Sequence, residues 1–192
     1  MARAAPLNPD ARRASIIAAT LPLLRLHGRG VTTSQIAMAA GVAEGTLFRV
    51  FPDKDALIAA AITSAFDPSP VESELSHIDR SQPMREQMVA VVDVLQRRIG
   101  QIWQLISMLG LTPGPPDNQK THLADEARIR ATLTGFFEPF RSEIRCEPEQ
   151  AGRLLRSLAF AGTHPRMTDK PLTPHEIVSL LLDGIRARDE ET

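Results

Sequence analysis

The chain has 192 residues, a net charge of −1, 43% hydrophobic residues and only 4% aromatics, with no Tyr. That length can bury the cores of one small and one medium domain, and the composition favours helices over sheets. The single Cys146 excludes an internal disulfide and any cysteine-based metal cluster, and it reads as a small apolar filler. No stretch of about twenty apolar residues occurs and the start MARAAPLNPDARR lacks an apolar signal core, so a cytoplasmic chain with no membrane partner is expected.

Charge is unevenly placed. Residues 1–66 hold seven Lys or Arg against four acids, giving +3, which leaves −4 for the remainder. A mildly basic first part suits phosphate and an acidic second part does not, although an excess of three charges is slight by itself.

In chain order, residues 1–9 read as a loose tail with Arg3 available to a nucleic-acid backbone. A helix over 10–26 follows, with Pro22 inside it removing one ladder hydrogen bond and predicting a kink. Next comes VTTSQIAMAAGVAEGTLFRVFPDKDAL, Val31 to Leu57. Thr33 can cap a short helix whose Ile36, Ala37 and Ala40 share one face, and Gly41 can turn the chain in the left-handed region. A second short helix runs from Ala43 to Val50, with Val42 and Leu47 plugging the space between helices. Phe51 and Pro52 end it, and Asp53 caps a third helix whose aliphatic run Ala56 to Ile62 makes it a buried strut. Helix, glycine turn, helix is the unit whose second helix enters the DNA major groove.

Asp67-Pro68-Ser69-Pro70 marks a domain boundary, giving domains at 1–66 and 67–192. A short piece over 71–79, poorly ordered or helical, precedes a helix from near Pro83, with Gly100 predicted to break or kink it before Ile102 to Leu109. Leu111 to Asp117 reads as a loop. A long helix is predicted over 122–145 on the stripe Ile129, Leu133, Phe136, Phe140 and Ile144, with Pro139 available to bend it. Final helices are expected at 148–163 and 174–188. Leu154, Leu155, Leu158 and Gly162 on one, with Ile177, Leu181 and Ile185 on the other, leave more apolar surface than a single packing neighbour covers. A second subunit is a natural source of the missing cover, and packing within the same domain is the alternative. Together these elements predict an all-α fold of about nine helices, a three-helix reader followed by a larger helical domain.

The segment from Ile16 to Ala61 resembles the DNA-binding domain of the TetR (tetracycline repressor-like) transcription regulators. The resemblance rests on Ile16-Ile17-Ala18-Ala19, His27-Gly28, Val31-Thr32-Thr33, Ile36-Ala37, Ala40-Gly41-Val42, Gly45 to Arg49 and Phe51 to Leu57. It implies a homodimer formed through the last two helices, a palindromic double-stranded operator and a small-molecule effector held by the C-terminal domain, with repression as the default. It places phosphate contacts at Thr32, Thr33, Thr46, Arg49 and Lys54, and base or sugar contacts at Ser34, Glu44, Gly45 and Phe48. It also suggests an effector pocket drawn from Met88, Trp103, Gln104, Met108, His122, Phe136, Phe137 and Phe140, residues that also read as ordinary core.

Two positions depart from the family pattern, with Phe48 and Val50 standing where the family often has Tyr and His. Phe48 cannot donate to phosphate but can touch a sugar or a thymine methyl. Glu44 repels phosphate yet can accept from cytosine. The five histidines form no i, i+4 metal pair, and no phosphate loop, nucleophile elbow or Cys-x-x-Cys is present, so neither an enzyme nor a resident cofactor is expected. The rival reading is a helical dimeric small-molecule-binding protein without site-specific DNA binding.

Overall fold

The computed structural model describes residues 8–110 and 119–185, with side chains described to Gly110 and from Glu126 to Gly184. Every extended element among them is a helix: α1 (Pro9–His27), a 3-10 turn (Gly28–Gly30), α2 (Thr33–Ala39), α3 (Glu44–Val50), α4 (Lys54–Ala65), α5 (Ser69–Ser76), α6 (Met84–Leu109), α7 (Gln119–Phe137), a 3-10 segment (Glu138–Glu143), α8 (Pro148–Thr163) and α9 (Pro174–Ile185). They form two compact units, and each has its own core.

The first unit comprises the described residues up to Asp67 together with Gln104 to Gly110. Asn8 caps α1 by accepting from the Ala11 amide at 2.7 Å, and Pro9 occupies the first helical position, where its missing N–H costs nothing. Ile16, Thr20 and Leu24 repeat every four residues and are buried. The buried Thr20 hydroxyl is satisfied by donating to the Ile16 carbonyl at 2.7 Å. Helix α1 continues through Pro22 as one element. Val31, Ile36, Leu47, Leu57, Ile58 and Ala61 complete this core with α1, each removed from water and worth roughly 1.5–3 kcal/mol for the larger side chains. Leu105 and Leu109, at the end of α6, belong to the same core. The sequence reading had assigned that stretch to the second domain.

The second unit holds 68–103 and the described residues from 119 onward. Its core joins Leu75, Met88, Val91, Val92, Leu133, Phe136, Phe137, Leu155, Ala159, Ile177, Val178 and Leu181. Two predicted boundaries are corrected here. Helix α6 runs unbroken past Gly100, because one glycine costs a helix interior only about 1 kcal/mol, and the apolar stripe on either side more than offsets that. Of the two readings of 71–79, poorly ordered or helical, the chain takes the helical one as α5, with Val71 and Leu75 buried. The predicted long helix ends at Phe137, since Pro139 lacks the donor the next turn needs; the chain continues as a 3-10 segment in which Phe140 leaves helical geometry at φ −109°, ψ 19°. The loop over 111–117 and the side chains of His122 and Ile185 lie outside the described residues, as does Arg3.

Candidate nucleic-acid interface

The reader is built from its caps upward. Thr32 rather than Thr33 caps α2. Its hydroxyl accepts from the Gln35 amide at 3.2 Å, and the Gln35 side-chain oxygen accepts from the Thr32 amide at 2.8 Å. This reciprocal pair satisfies donors at both ends of the first turn, and the three-residue spacing that permits it belongs to Thr32. Helix α2 stops at Ala40. Gly41 takes φ 66°, its amide donates to the Met38 carbonyl at 3.1 Å, and the Val42 amide donates to the Ala37 carbonyl at 3.0 Å. That bonding pattern closes the helix and swings the chain into α3. Asp53 caps α4, accepting from the Ala56 amide at 2.7 Å, and the Phe51 ring behind it carries the Arg13 guanidinium 4.4 Å from its centroid.

With Leu47 buried in the core, the opposite face of α3 is exposed and consists of Glu44, Gly45, Phe48 and Arg49. Phe48 is 51% exposed, unusual for a bare phenyl ring. Val50 is partly buried against the core. Freed from the cap, the Thr33 hydroxyl donates to Glu44 Oε1 and ties the start of α2 to the start of α3. Ser34 is exposed, and Thr46 is half-buried one turn into α3. Lys54 donates from Nζ to the Arg29 carbonyl at 2.9 Å, which leaves two of its three donors uncommitted. Arg29 stands 4.0 Å from Asp55 in an exposed pair of small worth. The nine residues named for DNA contact thus fall on α2, α3 and the start of α4 within the first unit. Sequence reading passed over Met38, which is exposed on α2 one turn after Ser34; its position outside the Ile36, Ala37, Ala40 stripe was the available signal.

The residues named for an effector pocket belong to both units. Gln104 and Met108 belong to the first unit, where Met108 is exposed. Met88, Phe136 and Phe137 are fully buried in the second core, Phe140 packs against it, and Arg80 lies over the Phe136 ring. Trp103 meets His164 edge-on with ring centroids 4.0 Å apart. That partner was not visible in the sequence, because the two residues come from α6 and from the end of α8. His164 Nδ1 accepts from the Arg166 amide at 3.0 Å, so the ring helps terminate α8.

The residues named for a dimer interface divide in a similar way. Leu155, Ile177 and Leu181 are buried in the core of the second unit, and Gly162 packs closely there, since a Cβ on it would lie 3.0 Å from Ile177 Cδ1. Solvent instead meets Leu154, Phe160 and Leu180, with Leu158 half-buried beside them. Among the described residues no group of His, Cys, Asp or Glu is placed to hold a metal ion, and no helix is long and apolar enough to cross a membrane.

No curated protein sequence matches the chain. Solved structures do. A TetR-family transcriptional regulator from Mesorhizobium loti is similar with a TM-score of 0.59 at 16% identity, covering 95% of this chain and 100% of that one. A TetR transcriptional regulator from Streptomyces coelicolor is similar with a TM-score of 0.57 at 22% identity, covering 92% and 99%. NalD, the secondary repressor of the MexAB-OprM multidrug efflux pump in Pseudomonas aeruginosa, is similar with a TM-score of 0.54 at 19% identity, covering 94% and 100%. At these identities the likeness establishes the fold. The model of bacterial regulatory proteins of the tetR family matches residues 16–61, the stretch from the buried face of α1 into α4 that frames the exposed face of α3. Residues 16–61 are thus a tetR-family DNA-binding domain of the helix-turn-helix kind, carried on a chain that shares its all-helical fold with solved TetR-type regulators.

Proposed function

We propose that the protein is a ligand-responsive repressor that binds a palindromic operator as a homodimer. The observation that carries this reading is the exposed face of α3: Glu44, Gly45, Phe48 and Arg49 are held outward by the burial of Leu47, on a helix whose start is fixed by the Gly41 turn. A short helix presented this way, with a second helix behind it, is the geometry that enters a major groove. Arg49 and Lys54 supply cationic donors for phosphate, with Thr32 and Thr46 at or near the starts of α2 and α3 beside them, and Thr33 offering its first-turn backbone amide because its hydroxyl is given to Glu44. Ser34, Glu44, Gly45 and Phe48 face base edges or sugars.

Dimerisation through α8 and α9 is supported by what those helices leave outside. Leu154 is 37% and Leu180 58% exposed on helices otherwise committed to the core. A two-fold pairing there covers both and presents two readers to two half-sites. An effector bound in the second unit would act by preferring one of two dimer states. The apolar lining offered by Met88, Trp103, Phe136, Phe137 and Phe140 suits an apolar or amphipathic ligand better than a highly charged one.

The test is selection of bound duplexes from a random pool by the purified protein at two salt concentrations. A palindromic site whose binding weakens steeply with salt supports the proposal. A folded protein that enriches no sequence overturns it and favours the small-molecule-binding rival.

A further inference from the structure

We infer that α3 selects pyrimidines, with Glu44 taking a cytosine and Phe48 a thymine one or two base steps away, and that Thr33 is the positioning residue for Glu44. This inference rests on the DNA-binding reading above and names the bases that reading leaves open.

Glu44 and Phe48 stand at i and i+4, so both side chains lie on the exposed face of α3, about 5–6 Å apart at Cβ. Base steps are about 3.4 Å apart along each strand, so the two side chains address bases one or two steps apart. Neither can read guanine. An ionised carboxylate only accepts, and guanine offers only acceptors in the major groove. Adenine sets an acceptor, N7, beside its N6 donor and so repels one carboxylate oxygen, whereas cytosine offers its N4 donor alone. A phenyl ring neither donates nor accepts. The one apolar group that bases display in that groove is the thymine C5-methyl, and contact with it would remove from water a ring that is 51% exposed in the free protein.

A free carboxylate beside two phosphate backbones would be turned away by repulsion. Here the Thr33 hydroxyl donates to Oε1 and fixes the group, leaving Oε2 of this exposed residue as the acceptor for a base. Because Thr32 and Gln35 cap α2 without help from Thr33, the Thr33 hydroxyl is not required to start the helix.

The experiment repeats the random-duplex selection with the full-length protein and with Glu44→Gln, Phe48→Ala, Thr33→Val and Thr33→Ser. Wild type is expected to recover cytosine at one half-site position and thymine one or two steps away. Glu44→Gln should lower the cytosine preference about tenfold and move it toward adenine, which an amide reads through N6 and N7. Phe48→Ala should lose only the thymine preference. Replacing that thymine by uracil should weaken wild type several-fold and leave Phe48→Ala unchanged. Thr33→Val should flatten the cytosine preference, and Thr33→Ser should keep it. A purely structural Thr33 would instead lower affinity for every sequence alike. Recovery of a site whose preferences none of these variants alters, or one in which Glu44→Gln alters the preference only at an A·T pair, overturns this inference alone. Enrichment of no sequence overturns the DNA-binding proposal and this inference with it.

Discussion

Gly28 adopts φ 55°, ψ −142°, and a Cβ added there would lie 2.6 Å from the Met108 carbonyl oxygen. Both backbone strain and the clash oppose any side chain, so Gly28→Ala should destabilise the protein by more than about 1 kcal/mol, read as a lower urea midpoint. An unchanged midpoint would show that α6 does not approach α1 here. The His27-Gly28 pair was legible in the sequence through the family resemblance, but the contact with Met108 was not, because the two residues are far apart in sequence. The same distinction explains Thr33 and Glu44. The Thr32 to Gln35 spacing was a readable local signal for the cap, and the choice of Thr33 overlooked it. The Thr33–Glu44 bond joins residues eleven apart and exists only once the Gly41 turn has formed.

At the scale of elements, caps decide where the helices begin. Thr32→Ala removes the hydroxyl half of the α2 cap, leaving the backbone amide at position 32 to the Gln35 oxygen, and should cost about 1 kcal/mol in denaturant unfolding, whereas Thr33→Ala should cost clearly less. Equal losses would put the cap back on Thr33. Helix α9 has a pH-sensitive counterpart. Glu176 accepts from the Thr173 amide at 2.7 Å and from its hydroxyl at 2.8 Å, and these bonds hold the carboxyl below its usual range. A depressed folded-state value means that this contribution is complete above the ordinary carboxylate pKa and is lost as pH falls through the lowered one. Melting temperatures of wild type and Glu176→Gln should therefore differ near neutral pH and converge once acidification has passed the lowered carboxyl value. A difference that persists in acid would contradict this. Local signals of this kind made most helices legible. The errors came where one residue was over-weighted, as with Gly100 in α6, or under-weighted, as with Pro139, which ends α7 instead of bending it.

At the scale of the whole molecule, the order of helices and the reader were legible because periodicity, glycine turns and caps are local. The allocation of apolar residues on α8 and α9 was not. Leu154 and Leu155 are adjacent and equally hydrophobic, yet one is exposed and the other buried, a difference set by the packing of α7, α8 and α9. If the exposed residues form the dimer contact, Leu154→Glu together with Leu180→Glu should yield a folded monomer by sedimentation and abolish tight operator binding. A dimer surviving both changes would move the interface elsewhere.

The most direct test of the central claim, that the exposed face of α3 makes this a sequence-specific DNA reader, is the affinity for a selected palindrome compared with a scrambled duplex of equal length across a salt series. The account predicts salt-dependent binding to both, with the palindrome bound about a thousandfold or more tightly. Equal affinity for the two duplexes at every salt concentration would contradict it.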